Sequence, residues 1–234
     1  VVIGTGPHLD PLADARRKAG GNLHSINPAD APATIAGVAS LAGPHNAENA
    51  AAAAACLAAL GLAEDEIAKG MAGFAGLPHR LQTVASHGRI SFVNDSKATN
   101  GVAAAKALAA FDNVYWIAGG EAKEDGLGEA AGETAKVAHA YLIGSAAQAF
   151  AAELDGIVET SLSGDLETAT TSAFADASAA SGTDGRDATI LLSPAAASFD
   201  QFASFVARGD AFTAIARRLA ADAGAAAVQG GAHA

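Results

Sequence analysis

A run of polar residues, Asn94 to Asn100, stands between a short apolar stretch and an alanine-rich segment. This order predicts a strand, a turn and a helix, so the run lies at a helix N-terminus whose backbone amides lack partners. Ser96 or Thr99 could simply cap that helix, and Asp95 could end the strand. Capping does not explain Lys97, because a lysine in the first turn of a helix opposes the positive end of the dipole. The run therefore also fits an anion site that Lys97 and the helix amides face together.

Three more segments carry side chains that suit an anionic ligand. Gly119-Gly120-Glu121-Ala122-Lys123 ends in a lysine, which is either solvated or a second cation for a carboxylate or phosphate. His79-Arg80 is typical of a surface pair, although an arginine there also suits a bidentate phosphate contact. The segment from Ser193 to Ser198 lacks the G-x-S-x-G pattern of a nucleophile elbow, and Ser198 is expected to cap a helix.

A further polar segment lies in the first third of the chain. Asn46 follows His45 at the start of a predicted helix, and Asn49 lies one turn later on the same face. These amides either cap the helix or face a base or ribose. Gly4-Thr5-Gly6 resembles the start of a dinucleotide fingerprint, but Leu9 stands where the fingerprint needs glycine. The sequence contains no G-x-x-x-x-G-K-[ST] loop and no H-E-x-x-H or paired-cysteine site, so we assign no metal ligand.

The polar segments lie between predicted strands and helices, which alternate along the chain. Before Pro78 the patterns predict a strand at 1–3, helices at 9–19, 47–60 and 64–73, and a weak strand at 35–41. Beyond it they predict a hairpin of 82–86 and 90–93, strands at 114–118, 140–143, 156–159 and 188–192, and helices at 100–111, 128–137, 146–154, 166–180 and 200–222. This order is typical of an open, mostly parallel α/β sheet with helices on both faces. Such sheets bind ligands at the carboxyl ends of their strands, where the polar segments at 94–100, 119–123, 144–145 and 193–198 fall.

Composition narrows the classes of partner. The net charge of −11 argues against an electrostatic grip on nucleic acid or on an anionic membrane. The longest apolar run is shorter than the roughly 20 residues that span a bilayer. Cys56 cannot form an internal disulfide, is expected to be buried, and is consistent with a cytoplasmic protein. The chain opens on Val1 rather than methionine, and we expect it to begin inside a domain.

Several separate motifs resemble one family, in order along residues 1–219. They are Gly43-Pro44-His45-Asn46-Ala47-Glu48-Asn49, Gly76-Leu77-Pro78-His79-Arg80, Asn94 to Asn100, Gly119-Gly120-x-x-Lys123, and Leu192-Ser193-Pro194-x-x-x-Ser198-x-Asp200-Gln201-Phe202. Together they resemble the Mur ligases, and within that family the branch that adds D-glutamate. The resemblance implies the end of a central ATP-binding α/β domain at 1–75 and a Rossmann-like carboxyl-terminal domain at 76–222. The alanine and glycine content of residues 223–234 predicts a disordered tail.

The resemblance also implies a reaction. Enzymes of this branch use ATP and Mg²⁺ to phosphorylate the carboxylate of UDP-N-acetylmuramoyl-L-alanine, and the amine of D-glutamate then attacks the acyl phosphate. The family's phosphate loop, magnesium ligands and UDP-binding domain would lie upstream of Val1, so this chain is expected to be inactive alone and monomeric. Two alternatives stay open: a non-catalytic module that only holds D-glutamate or ADP, and another amide ligase such as a folylpolyglutamate synthase.

Site roles carry over residue by residue as implications of the resemblance. The nucleotide contacts would be Asn46 and Asn49 at the adenine, and His79, Arg80 and Asp95 elsewhere on ATP. The catalytic residue would be Lys97, near the acyl phosphate. The D-glutamate contacts would be Thr99 and Lys123 at the α-carboxylate, and Ser198, Phe199 and Phe205 around the side-chain carboxylate. Two departures from the family pattern are Ala196, where many relatives have cysteine, and Glu121-Ala122 within the glycine–lysine motif.

Overall fold

The computed structural model describes residues 2–4, 9–38, 41 and 43–230. The chain divides into two units, Val1–Gly76 and Leu77–Ala234. In the first unit, strands β1 (Val2–Gly4) and β2 (His24–Ile26) pair in parallel. Its helices are α1 (Asp10–Lys18), α2 (Pro44–Ala59) and α3 (Glu64–Ala72), with 3₁₀ turns at Pro28–Asp30 and Ala33–Gly37.

The structure corrects two predictions for the first unit and adds a strand that was not predicted. The weak strand expected at 35–41 is wrong over its described residues, because Ala33–Gly37 form a 3₁₀ turn, while residues 39–40 lie outside the described part of the chain. Strand β2 was not predicted, since two of its three residues are exposed and no apolar run marks it. Cys56 is exposed rather than buried. It lies on the face of α2 opposite the positions that contact the small core of this unit, which is formed by Ala50, Ile67 and Met71 with Ala54 and Leu57 packed against it.

The second unit is built on a six-stranded sheet of order β3-β4-β8-β5-β6-β7. Its strands are β3 (Gln82–His87), β4 (Ile90–Asn94), β5 (Val114–Gly119), β6 (Val137–Ile143), β7 (Thr160–Gly164) and β8 (Ala188–Leu192). The predicted hairpin is confirmed, since β3 and β4 pair antiparallel, and the remaining pairs are parallel. The predicted fold class, an open and mostly parallel α/β sheet, is confirmed.

Helices cover both faces of this sheet. They are α4 (Gly101–Ala109), α5 (Ala147–Leu154), α6 (Leu166–Asp184) and α7 (Phe205–Gly230). Alternation along β5 shows the two faces: Trp116 lies in a core cluster with Leu108 and Phe150, whereas Ile117 lies in a second cluster with Phe212. Because β5 is buried on both faces, it is a continuous apolar run in the sequence.

Several elements in this unit differ from prediction. The helix expected at 128–137 is a short 3₁₀ turn, Gly128–Gly132, and β6 already begins at Val137. Its alanine and glutamate content favours helix, but its two glycines weaken that preference. The strand expected at 156–159 is wrong, because Gly156 makes a turn with φ of +70°, and β7 (Thr160–Gly164) begins only after these residues.

The last helix begins later and ends later than predicted. It starts at Phe205 rather than near 200. It then continues to Gly230, so residues 223–230 of the expected disordered tail are helical, while residues 231–234 lie outside the described part of the chain. Alanine, which dominates this stretch, has the highest intrinsic helix propensity of any residue.

Candidate functional site

The loops that follow β4, β5 and β8 meet at the carboxyl edge of the sheet. The Asp95 amide donates to the Leu192 carbonyl at 2.8 Å, and the Gly119 amide donates to the Pro194 carbonyl at 2.8 Å. Glu121 and Ala197 exchange two backbone hydrogen bonds of 2.9 Å each. The three segments that the sequence placed at this edge, 94–100, 119–123 and 193–198, are therefore joined through their backbones.

The segment after β6 joins the same group of loops. The Ser145 hydroxyl donates to the Gly120 carbonyl at 3.1 Å, and the Ser145 amide donates to Asp200 Oδ2 at 2.9 Å. Gly120 explains why the loops can approach so closely. Its φ is +128°, and a Cβ there would stand 2.2 Å from the Ala197 carbonyl oxygen. The glycine is thus required by both the backbone angle and the contact.

Asn94, the last residue of β4, is fully buried and connects this edge to α7. Its Nδ2 group donates to the Gly209 carbonyl at 2.8 Å and to Thr213 Oγ1 at 3.0 Å, and it lies 3.2 Å from His79 Nδ1. Its Oδ1 accepts from the Ser96 amide at 3.1 Å. This single amide therefore fixes both the start of the 94–100 loop and the position of the His79 ring.

Asp95 is a buried carboxylic acid held by neutral donors. Its Oδ2 accepts from the Ser193 hydroxyl at 2.9 Å, and its Oδ1 accepts from the Leu81 amide at 3.3 Å. Burial raises the pKa of Asp95 from 3.8 to about 7, although both hydrogen bonds and the nearby Arg80 oppose that rise. A carboxyl group with such a pKa can change protonation near neutral pH, which is typical of functional sites.

Lys97 lies beside the ring of Phe205. Its Nζ is 4.7 Å from the ring centroid, within the range of a cation–π contact, and its amide donates to the His79 carbonyl at 3.1 Å. The edge of the same aromatic ring contacts the His79 imidazole, with centroids 6.2 Å apart. The structure therefore places Phe205 next to one residue predicted to bind ATP and to the predicted catalytic lysine.

The helix after this loop is not capped as the sequence suggested. Asn100 is the N-cap of α4, and its Oδ1 accepts from the Ala103 amide at 2.9 Å. Capping by Ser96 or Thr99 is therefore wrong. Lys97 precedes the helix instead of lying in its first turn, so the argument from the helix dipole does not explain why it is there.

Ser198 does not cap a helix either. It is buried, and its carbonyl accepts from the amides of Gln201 and Phe202 in the turn that precedes α7. The hydroxyl at the start of that helix belongs to Ser204, which accepts from the Ala207 amide at 3.1 Å. The capping interpretation of Ser198 is thus wrong, and its role as a ligand contact stays a prediction.

The other predicted contacts differ in exposure. Arg80, Lys123 and Phe199 are exposed to solvent, and Thr99 is half-buried. Exposed cations at a loop edge remain available to a ligand. Asn46 and Asn49 belong to α2 in the first unit, where Asn46 is half-buried and Asn49 is exposed. Asn46 is not the N-cap of α2, a position that Gly43 occupies.

Sequence reasoning missed one residue at this edge, Arg208. Its side chain is 1% exposed, and its guanidinium donates only to oxygens of the loops described above. Burial lowers the pKa of Arg208 to about 10, and the charge of Asp200 acts in the opposite direction. The residue sits in an alanine-rich helix, where an arginine is usually a surface residue. The one available signal was its neighbour Gly209, because a glycine inside a helix can mark a close approach.

The described residues form neither a metal-binding cluster nor a membrane-spanning helix. No group of three or more histidine, cysteine, aspartate or glutamate side chains among them could hold a metal ion. Among the same residues, no helix has the length and apolar character needed to cross a bilayer.

Comparison with known proteins gives strong sequence matches. Residues 79–197 match the family profile described as "Mur ligase, glutamate ligase domain". The chain is 48% identical over 189 residues to UDP-N-acetylmuramoylalanine–D-glutamate ligase of Caulobacter vibrioides (strain NA1000 / CB15N), which is 81% of this chain and 39% of that protein. It is 51% identical over 178 residues to the protein of the same name from Rhizobium meliloti (strain 1021), which is 76% of this chain and 38% of that protein. The chain thus spans well under half the length of the curated relatives it matches.

Solved structures give a more distant likeness. Folylpolyglutamate synthase from Mycobacterium tuberculosis, complexed with ADP, aligns with a TM-score of 0.63 at 18% identity, over 92% of this chain and 55% of that one. MurF from Acinetobacter baumannii aligns with a TM-score of 0.57 at 17% identity, over 91% of this chain and 50% of that one. At such identities the likeness shows the fold alone.

Proposed function

This chain belongs to the Mur ligase family, and from that premise we propose that it supplies the amino-acid site, and part of the ATP site, of a ligase that joins D-glutamate to UDP-N-acetylmuramoyl-L-alanine. The observation that carries the proposal is the meeting of three loops at the carboxyl edge of the sheet. These loops contain the predicted ligand residues of the second unit apart from the His79-Arg80 pair and Phe205, namely Asp95, Lys97, Thr99, Lys123, Ser198 and Phe199.

The charges at this edge suit a dicarboxylate with a reactive amine. We assign Thr99 and Lys123 to the α-carboxylate, with Ser198, Phe199 and Phe205 around the side-chain carboxylate. An exposed lysine can pair with a carboxylate in a charge-assisted hydrogen bond. Lys97 would then face the acyl phosphate, where a cation stabilises the charge that develops as the amine attacks.

We assign the phosphates and the ribose of the nucleotide to residues of the second unit beside these loops. ATP supplies the phosphoryl group that activates the carboxylate of the nucleotide-sugar substrate. Exposed Arg80 suits a phosphate contact, and His79 and Asp95 lie beside it, while Asn46 and Asn49 are assigned to the adenine. We place the protein ligands of the accompanying Mg²⁺ outside the described residues and assign it no step here. We propose that the protein is cytoplasmic and monomeric and that its product is a peptidoglycan precursor.

Calorimetric titration of D-glutamate into the 234-residue chain tests the proposal. We expect saturable binding that is weakened about tenfold or more in both Lys123→Ala and Thr99→Ala, because each loses a direct contact to one carboxylate. Lys136→Ala is the matched control, since Lys136 is also exposed but pairs with Asp112 away from the loops. Binding that is equal for L-glutamate, or that is unchanged in both site variants, would contradict the assignment.

A further inference from the structure

Arg208 is a buried cation that no carboxylate of the described residues contacts directly. Its Nε donates to Ser96 Oγ at 3.0 Å, and its Nη2 donates to the Ser96 and Ala196 carbonyls at 3.0 and 3.1 Å. Its Nη1 donates to the Ala197 and Gly119 carbonyls at 3.1 and 3.4 Å. Each nitrogen of the guanidinium is therefore used on a backbone or hydroxyl oxygen, which compensates in part for its loss of water.

The five accepting oxygens belong to three different loops. Ser96 directly precedes Lys97, Ala197 directly precedes Ser198, and Gly119 begins the segment that ends at Lys123. The guanidinium group is planar, and its N–H groups point in fixed directions. It therefore sets the distances among the carbonyl oxygens that it binds. The spacing of these three loops therefore depends on a side chain that lies beneath them in α7.

We propose that Arg208 is a positioning residue, which holds the three loops in the register that lets one ligand contact Lys123 and Ser198 at once. This inference rests on the proposed function, because it concerns the D-glutamate contacts. It goes beyond them in assigning a role to a residue that is not predicted to touch the ligand. The alternative is a merely structural arginine, whose loss would loosen the whole sheet rather than the loops.

Substitutions at Arg208 separate these two roles in the 234-residue chain. Arg208→Lys keeps the charge but loses the planar guanidinium group, whereas Arg208→Met keeps much of the volume and loses both. Arg217→Met is the matched control, since Arg217 lies on the same helix and donates to the Val84 carbonyl from an exposed position. The first measurement is amide hydrogen exchange of Glu121 and Ala197, whose mutual hydrogen bonds report the loop register, against the β5 and β8 amides.

We expect the Glu121 and Ala197 amides to exchange at least about tenfold faster in both Arg208 variants, while the β5 and β8 amides keep their protection. We also expect the Kd for D-glutamate to rise at least about tenfold in both variants, with a smaller change in the Kd for ADP. Arg208→Lys should not rescue either property, because the planar guanidinium group and not the charge sets the spacing. Arg217→Met should leave all of these values unchanged.

Three results would overturn the inference. Exchange and D-glutamate affinity that match Arg217→Met would show that the loops do not need Arg208, and equal loosening of β5 and β8 would show a structural role. Full rescue by Arg208→Lys would assign the effect to charge. If Arg208→Met does not fold, Arg208→Lys decides by the same criteria. If the unsubstituted chain does not bind D-glutamate, the proposed function fails, and the exchange measurement still tests the positioning role.

Discussion

The two ends of the six-stranded sheet hold their charged groups in opposite ways. At the amino edge, an open groove of about 690 Å³ is lined by residues that include Arg89, Asp187, Lys136 and Asp112. Arg89 pairs with Asp187 and Lys136 pairs with Asp112, each at 2.9 Å and with all four side chains well exposed. At the carboxyl edge, by contrast, a carboxyl group and a guanidinium are buried without a direct ionic partner among the described residues.

The buried charged groups of the carboxyl edge cost folding free energy, whereas the exposed ion pairs of the amino edge do not. An exposed ion pair contributes little, with a median of about 0–1 kcal/mol. Burying an ionisable group without an opposite charge is unfavourable, and the pKa of such a group shifts toward the neutral form. Asp95 and Arg208 both show shifts in that direction. Both groups lie at the edge that carries the predicted ligand contacts, and such shifted pKa values are typical of functional sites.

Asp95→Asn is expected to give the largest change in unfolding free energy among the variants that compare the two edges. Because the folded state holds the Asp95 proton up to a pKa of about 7, the unfolding free energy should fall as pH rises from about 4 to about 7 and then level off. The carboxamide has no charge, its oxygen can still accept from the Leu81 amide, and its NH2 group can donate to the Ser193 hydroxyl once that hydroxyl rotates. At pH 8 the variant should therefore be more stable, by up to about 4 kcal/mol, and the gain should vanish toward pH 4.

Urea unfolding at pH 4, 6 and 8 measures this difference, since effects of other titrating groups are shared by both proteins. Asp187→Asn, an exposed carboxylate at the amino edge, is the control and should change stability by no more than about 0.5 kcal/mol. A variant that is less stable than the parent at pH 8 would show that Asp95 is ionised without cost, and the contrast between the edges would be lost.

The sequence predicted those strands and helices that are marked by a pattern within their own residues. Strands β5 and β8 are apolar runs closed by turn residues, so their positions were found within one residue. The helix expected at 128–137 failed because its local preference was overridden by the glycines and by the early start of β6. Strand β2 has three residues and exposes two, which leaves no pattern to detect.

The candidate site was also predicted only in part. The grouping of the segments at 94–100, 119–123 and 193–198 followed from one rule about parallel sheets, and it is confirmed. Arg208 could not be found in this way, because its role depends on contacts with three loops that are distant in the sequence. Local patterns also assigned helix caps to Ser96 or Thr99 and to Ser198, whereas the caps are one to six residues later. Cap positions depend on where a helix begins, which is the least certain feature of a sequence-based assignment.

The second test removes the buried amide that joins β4 to α7. Asn94→Ala leaves the Ser96 amide without this partner and opens a small cavity, whereas the Gly209 carbonyl still accepts from Thr213 Oγ1 at 2.9 Å. We expect a loss of about 3 kcal/mol in unfolding free energy, since a buried unpaired group costs about 1–3 kcal/mol and the cavity adds to that cost. Asn113→Gly at the amino edge is the control, because Asn113 also donates to a carbonyl but is less buried and has a φ of +50° that glycine accepts. A similar loss of unfolding free energy in both variants would show that the polar groups of the two edges contribute equally to stability.

The third test concerns the close approach of the loops. Gly144 has a φ of +68°, and a Cβ there would lie 2.1 Å from Asp200 Oδ2 and 2.9 Å from the Gly120 Cα. Gly144→Ala should therefore cost about 2 kcal/mol or more, of which the backbone angle accounts for about 1–2 kcal/mol. Gly88→Ala isolates that angular part, since Gly88 has a φ of +55° and open space around the added carbon. Equal losses in thermal unfolding would show that the loops can separate freely.

The smallest expected effect probes the amino edge itself. Arg89 and Asp187 are 61% and 82% exposed, so their ion pair is solvated and screened by salt. In a double-mutant cycle of Arg89→Ala and Asp187→Ala, we expect a coupling energy of about 0.5 kcal/mol that decreases when salt is added. A coupling energy above about 1.5 kcal/mol would be outside the range of exposed pairs. It would mean that this ion pair contributes substantially to stability. The charges of the amino edge would then need a functional explanation of their own, because a solvated pair in an open groove would no longer account for them.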